Sequence, residues 1–122
     1  MKKLRKEEDS PNVVSKLGWR YHHLGIPSST SRPDEKYLEN YKMYVSGFET
    51  SDYGIEWMRF EEDSPVSEII QRIPHIAFEV DNLDEATQGK TIIGEISTPS
   101  TGIRVAMILE DGALIELLEF SR

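Results

Sequence analysis

His23-Leu24-Gly25-Ile26 and His75-Ile76-Ala77-Phe78 repeat one pattern, in which a histidine is followed by an apolar, a small and another apolar residue. Two later stretches also match, Ile55-Glu56-Trp57 and Ile115-Glu116-Leu117, each with a glutamate between apolar neighbours. Glu56 lies 33 residues after His23, and Glu116 lies 41 residues after His75. The shared order and the comparable spacing predict a duplicated structural unit.

The first unit is predicted as a strand, a helix and two further strands. Pro33 suits the first turn of a helix, and Asp34 and Glu35 suit its positive end, so we expect a helix over about 33–41. The other elements expected here are strands over about 21–26, 43–48 and 55–60, the last two as a hairpin, and a connecting helix over about 66–73.

The second unit repeats this order and adds a strand. Pro74 ends the connecting helix, and a strand follows in which alternate residues are apolar. Gly89 is placed as a helix C-cap, and Asp111-Gly112 is a signal for a two-residue hairpin. The predicted elements are a strand over 75–80, a helix over 83–88, and strands over about 91–96, 103–110 and 113–120.

The alternation of side chains along a strand gives the repeated histidines one common face. Residues two apart share a face, so His75 and Ala77 point one way, and the small residues Gly25 and Ala77 leave space beside each histidine. His22 is out of phase with His23, so only one of the two is expected on this face. Glu116 shares its face with apolar residues, where a carboxylate is costly unless a cation or strong donors compensate it.

Two imidazoles and one or two carboxylates that meet in a concave sheet predict a site for a divalent metal ion with open positions. The alternative is that these side chains are structural. A histidine in a strand is often only hydrogen-bonded, and a glutamate in a closing strand often lies at the rim of the sheet.

The composition of the chain excludes several classes of protein. The 122 residues fit one domain, the absence of cysteine excludes disulfides and thiolate ligands, and no apolar run is long enough to span a bilayer. The net charge of −8 disfavours nucleic acid as a partner. Residues 1–17 are expected to be a charged tail, or else a short helix on a partner subunit, before one domain over 18–122. Acidic residues follow the basic start, which argues against a signal peptide and for a cytoplasmic protein.

At the repeated histidines and at 114–117 the sequence resembles the vicinal oxygen chelate superfamily, which contains glyoxalase I, methylmalonyl-CoA epimerase, extradiol dioxygenases and bleomycin-resistance proteins. The resemblance implies an α+β fold of two βαβββ-type modules, about 18–65 and 73–121, with curled mixed sheets around a shared cleft. It implies the metal ligands His23, His75 and Glu116, with Glu56 as a fourth, and a divalent ion such as Zn, Ni, Mn, Fe or Co. The first module is expected to be shortened by one strand, and pairing in a homodimer would cover the edge left open.

The resemblance further implies a metal-dependent lyase, isomerase or dioxygenase that acts on a small oxygenated metabolite. The ion would stabilise an oxyanion, and Glu116 or Glu56 could serve as the base. The alternatives are a metal-free protein that binds a drug or metabolite, as resistance members do, and a structural subunit. The candidate substrate pocket comprises Trp57, Met58, Phe60 and Arg104, although in strands such apolar side chains are often core and such arginines are often surface charge.

Overall fold

Short amphipathic segments produce eight strands and three short helices in the computed structural model, which describes residues 10–121. The helices are α1 (Asn12–Ser15), α2 (Glu68–Arg72) and α3 (Leu83–Ala86). The strands are β1 (Arg20–Pro27), β2 (Lys36–Leu38), β3 (Met43–Ser46), β4 (Ile55–Phe60), β5 (His75–Glu79), β6 (Thr91–Ser100), β7 (Ile103–Glu110) and β8 (Ala113–Phe120).

All eight strands belong to one curled mixed sheet, a half-barrel in the order β2-β3-β4-β1-β5-β8-β7-β6. The two units have equivalent topology, because β1 pairs in parallel with β4 as β5 does with β8. Their registers also agree, with Gly25 opposite Glu56 and Ala77 opposite Glu116. The units join where β1 and β5 pair antiparallel at the centre of the sheet. The predicted α+β class and the duplicated modules are confirmed.

The helix predicted over 33–41 is wrong. Residues 36–38 form β2, which pairs antiparallel with β3, and Glu39–Tyr41 form a single 3₁₀ turn. Glu35 does not serve a helix N-terminus, since its carboxylate accepts two hydrogen bonds from Arg59 at 2.9 and 2.8 Å. Strand pairing has therefore overridden a local helix signal. The first module keeps its third strand and lacks the helix, so the expected loss of a strand is also corrected.

A hydrophobic core fixes one face of the second module. Leu83 of α3 is fully buried against Leu117 of β8, and burial of each such side chain contributes about 1.5–3 kcal/mol. Asn82 caps α3 by accepting a hydrogen bond from the Glu85 amide at 3.0 Å. Trp19 extends this core, with its ring 5.9 Å from that of Phe78. This packing leaves the other face of the sheet, where the two histidines lie, free for a cavity.

The N-terminal segment is described only in part. Residues 12–15 form α1, whereas residues 1–9 of the predicted tail lie outside the described residues. Within residues 10–121, every helix is too short or too polar to cross a lipid bilayer.

Candidate metal centre

The three side chains that the repeat singled out meet at the junction of the modules. His23 Nε2 lies 3.2 Å from His75 Nε2, and Glu116 Oε1 lies 3.1 Å from the first nitrogen and 3.0 Å from the second. Both histidines are 4% exposed. The three donor atoms thus form a nearly equilateral triangle, built by β1, β5 and β8. Among the described residues this is the group of histidines and carboxylates that could hold a metal ion.

The spacing of the donors fits a single divalent ion. Atoms bound to one ion at about 2.0–2.2 Å lie roughly 3.0–3.5 Å apart when they occupy neighbouring coordination positions. Two imidazoles and one carboxylate form a donor set that suits several first-row metals and leaves positions for a ligand. The residues therefore fit the predicted group, and the cluster could bind a metal ion.

Gly25 makes room for the ring of His75, its direct neighbour across the β1–β5 pair. A Cβ atom at residue 25 would lie 2.1 Å from Cε1 and 2.5 Å from Nε2 of that imidazole. Only glycine permits this approach, so the small residue of the first repeat has a steric role. His75 Nδ1 is buried without a hydrogen-bond partner, which leaves Nε2 as the nitrogen that interacts with the rest of the site.

The electrostatics of the cluster keep Glu116 ionised. Burial raises the pKa of this carboxyl group, but the hydrogen bonds and charges of His23 and His75 outweigh burial and lower the pKa to about 2. Burial likewise disfavours protonation of His23, yet the hydrogen bond and charge of Glu116, with the charge of Glu56, raise its pKa above the ordinary 6.5. Protonation of His23 is therefore favoured beside Glu116, compared with protonation of an exposed histidine.

We expect the free energy of unfolding of the metal-free protein to fall as the pH rises above 6.5. A raised pKa in the folded state stabilises the fold fully below the unfolded value, and this contribution disappears as the pH rises through the folded value of His23. Burial lowers the pKa of His22, so the contribution of that residue to the free energy of unfolding changes with pH only below 6.5. Urea denaturation from pH 6.5 to 9 measures the slope of the free energy of unfolding against pH. The His23→Asn variant should lose it, and an unchanged slope in that variant would contradict the assignment.

His22 lies against the cluster, which sequence reasoning did not predict. The register of β1 against β5 shifts between Tyr21 and His23, and this bulge places His22 Nδ1 2.8 Å from His23 Nδ1. The ring of Phe48 stacks on His22 with centroids 4.9 Å apart. The expectation that His22 points away is therefore corrected: regular alternation fails at a bulge.

Glu56 lies beside the cluster but farther from it. Its Oε1 is 3.8 Å from His23 Nε2, compared with 3.1 Å for Glu116. Burial raises the pKa of Glu56, and the charge of Glu116 adds to this, although the two neighbouring histidines act in the opposite direction. Glu56 is the counterpart of Glu116 in the first module and is placed to reach the same space.

A cavity of about 230 Å³ opens from the cluster between the two modules. Glu56, His75 and Glu116 contribute to one part of its lining. The remaining lining is mainly apolar and includes Met43, Met58, Phe60, Ile70, Val105 and Met107.

The structure brings only part of the sequence-predicted pocket to this cavity. Met58 and Phe60 line it, but Trp57 and Arg104 do not. Trp57 is out of phase with Glu56 on β4, and its ring lies under Arg32 at 3.9 Å. Arg104 bonds Asp84 at 2.9 Å and Glu119 at 3.2 Å. Strand alternation explains why Trp57 and Arg104 point away from the cavity. Met107, which the sequence analysis did not select, lines the cavity because it pairs with Glu116 across β7 and β8.

The curled sheet of two equivalent modules is consistent with a fold of the vicinal oxygen chelate type. Two solved structures share this architecture. The hypothetical protein BH1468 from Bacillus halodurans C-125 is similar with a TM-score of 0.64 and 22% identity, over 85% of this chain and 96% of that one. Methylmalonyl-CoA epimerase from Mycobacterium tuberculosis is similar with a TM-score of 0.51 and 19% identity, over 84% of this chain and 89% of that one.

No protein-family model and no curated protein matches the chain. At these identities the two structures show the fold alone. Membership of the superfamily stays a prediction, because one fold can serve many unrelated functions.

Proposed function

We propose that this protein is a metal-dependent enzyme that acts on a small oxygenated metabolite. The observation that carries the proposal is the triangle of donor atoms from His23, His75 and Glu116 at the head of a cavity. A divalent ion held there would act as a Lewis acid toward adjacent oxygens of a substrate, which is the role proposed for it in a lyase, isomerase or dioxygenase reaction.

The protein side chains have separate roles in this proposal. His23, His75 and Glu116 hold the ion, and Glu116 supplies the negative charge of the set. Glu56 lines the cavity next to the cluster, so its carboxylate can accept a proton from the substrate carbon next to the coordinated oxygens. Because burial raises the pKa of Glu56, it is a stronger base than an exposed glutamate.

His22 orients His23 in the proposed site. If His23 Nε2 is a ligand, its proton is on Nδ1, which donates to Nδ1 of His22 across the 2.8 Å contact. We expect His22→Ala to weaken Zn²⁺ binding by about 10–100-fold, as loss of an outer hydrogen-bond partner does. His22→Asn, whose side chain can still accept the bond, should recover part of the affinity. Competition with a chelating dye measures both, and equal losses in the two variants would contradict this role.

The proposal is tested by metal binding. The purified chain is dialysed against Zn²⁺, Ni²⁺, Mn²⁺, Fe²⁺ and Co²⁺ in turn, and the bound metal is measured by elemental analysis. We expect one ion per chain, with turnover of oxygenated small molecules only in the loaded protein. A chain that takes up no divalent ion under any loading condition would refute the proposal.

A metal-free binding protein is the second candidate function. It is favoured by the contact of 3.1 Å between Glu116 and His23, because protonation of this histidine supplies a counter-charge without a bound ion. This protein would sequester an apolar compound in the same cavity without chemistry. Ligand binding that is unchanged by chelators would support it.

Two further predictions concern the environment of the protein. A cytoplasmic location and a homodimer both stay predictions. In the described chain, β2 and β6 are the edges of the sheet, and each has one free side where a second subunit could pair. Light scattering on the purified chain measures the oligomeric state, and a monomer at all concentrations would contradict the dimer.

A further inference from the structure

The charge distribution around the cavity restricts the ligands that it accepts. Its ionisable lining consists of Glu56, Glu116 and His75, and no lysine or arginine of the described chain contributes to it. Away from these groups the lining is mainly apolar and includes Leu38, Val66 and Ile70, and its polar members Tyr41 and Ser97 are uncharged. A negative group placed there would have no cation to compensate its desolvation.

The basic side chains near this part of the fold are bound to carboxylates elsewhere. Arg59 is held by Glu35 on the other face of the sheet. Lys36, two residues before Leu38, bonds Glu49 at 2.8 Å. Arg104, which the sequence placed in the candidate substrate pocket, is held in the same way by Asp84 and Glu119. Recruitment of any of these cations by a ligand would break an ion pair that already exists.

A bound ion does not change this conclusion for the apolar part of the cavity. The positive charge of a divalent ion would face the ionised carboxylate of Glu116 and the neighbouring carboxyl group of Glu56. The ion can still bind oxygen atoms of a ligand beside the cluster. A second anionic group at the other end of the ligand would remain unpaired, in a protein whose net charge is already −8.

We infer that the substrate is a compound with adjacent oxygens at one end and an uncharged apolar body, without a second anionic group. This inference rests on the proposed function and narrows it. Phosphate esters, coenzyme A thioesters and dicarboxylates are excluded, because each carries negative charge away from its reacting oxygens. Three of the four methionines, Met43, Met58 and Met107, line the cavity, and their flexible side chains suit an apolar body of variable shape.

The test uses two probes that differ only in the distal group. 4-Propylcatechol and 3-(3,4-dihydroxyphenyl)propionate share the catechol oxygens and the length of the side chain, but end in a methyl group and a carboxylate. Each is titrated into the Zn²⁺-loaded full chain labelled with ¹³C at the methionine methyl groups, and NMR shifts report occupation of the cavity. We expect the propionate to bind at least about tenfold more weakly, because no cation in the described lining compensates the desolvation of its carboxylate.

A charge added to the cavity should remove this discrimination. Leu38 lines the cavity and is 37% exposed, so Leu38→Arg introduces a cation and should reduce the difference between the probes to about twofold or less. Tyr37→Arg is the matched control, since Tyr37 packs on Tyr44 of β3 with ring centroids 4.8 Å apart and lies outside the cavity lining. The control should keep the tenfold difference.

The possible outcomes separate the two proposals. Equal binding of both probes to the unaltered chain, or an equal gain of propionate binding in both arginine variants, would overturn the inference on substrate class. Failure to bind any of the five divalent ions would overturn the proposed function. In that case the same methyl signals of the metal-free chain still report whether the cavity prefers the propyl compound, and the preference supports the inference.

Discussion

Replacement of Glu116 by alanine should lower the affinity for Zn²⁺ by more than about a hundredfold, since even loss of an outer partner costs about 10–100-fold. Glu116 supplies the anion of the donor triangle, 3.1 and 3.0 Å from the nitrogens of His23 and His75. Glu116→Gln keeps the shape of the side chain and removes its charge, so it should lose nearly as much affinity. Isothermal titration calorimetry of the three proteins measures the effect.

Glu119→Ala is the matched control for this experiment. It removes a glutamate from the same strand, but from the opposite face, where the side chain accepts hydrogen bonds from the Leu83 amide and Arg104. We expect Glu119→Ala to lower the stability of the fold and to leave zinc affinity within a factor of about two of the unaltered chain, because this carboxylate is outside the cluster. Equal losses of affinity at the two positions would show that metal binding does not depend on the triangle.

Gly25→Ala should damage both the site and the fold. The added Cβ would lie 2.1 Å from Cε1 of His75, so the ring must leave its position or the central strands must separate. Overpacking of this kind typically costs about 1–3 kcal/mol. We also expect zinc affinity to fall by at least about tenfold, the lower end of the range for disturbed ligand orientation. Thermal denaturation and zinc titration measure the two effects.

A double-variant cycle isolates the steric cause. In the His75→Ala background the imidazole is absent, so Gly25→Ala should cost little stability, and the two substitutions should be strongly non-additive. Additive losses would mean that the alanine is rejected by the backbone of β1 and not by the histidine ring.

Strand alternation predicted much of the candidate site from the sequence alone. Alternation placed His23 and His75 on equivalent faces, and the repeat and the resemblance added Glu116. The structure brings the donor atoms of the three together. The same rule, applied to β4, would have separated Trp57 from Glu56. The repeat also corresponds to a shared strand register. Glu56 pairs with Gly25 and Glu116 pairs with Ala77, and each small residue lies two positions after its histidine.

Two features could not be read from local patterns. The bulge that turns His22 toward His23 depends on the pairing of β1 with β5, which lies 52 residues away. The strand at 36–38 likewise depends on its partner β3, whereas Pro33, Asp34 and Glu35 locally favour a helix. In both cases the deciding contacts are distant in sequence, and local propensity is too weak to oppose them.

The meeting of His23 and His75 across the β1–β5 junction also determines when the site can assemble during refolding. Pairing of segments so distant along the chain is a slow event, because loop closure must precede the contacts that reward it. A refolding chain can therefore form hairpins such as β7–β8 early, while the donor triangle forms only after both halves have docked. The time course of zinc capture would thus report the last stage of folding, and the hairpins would reach their native form beforehand.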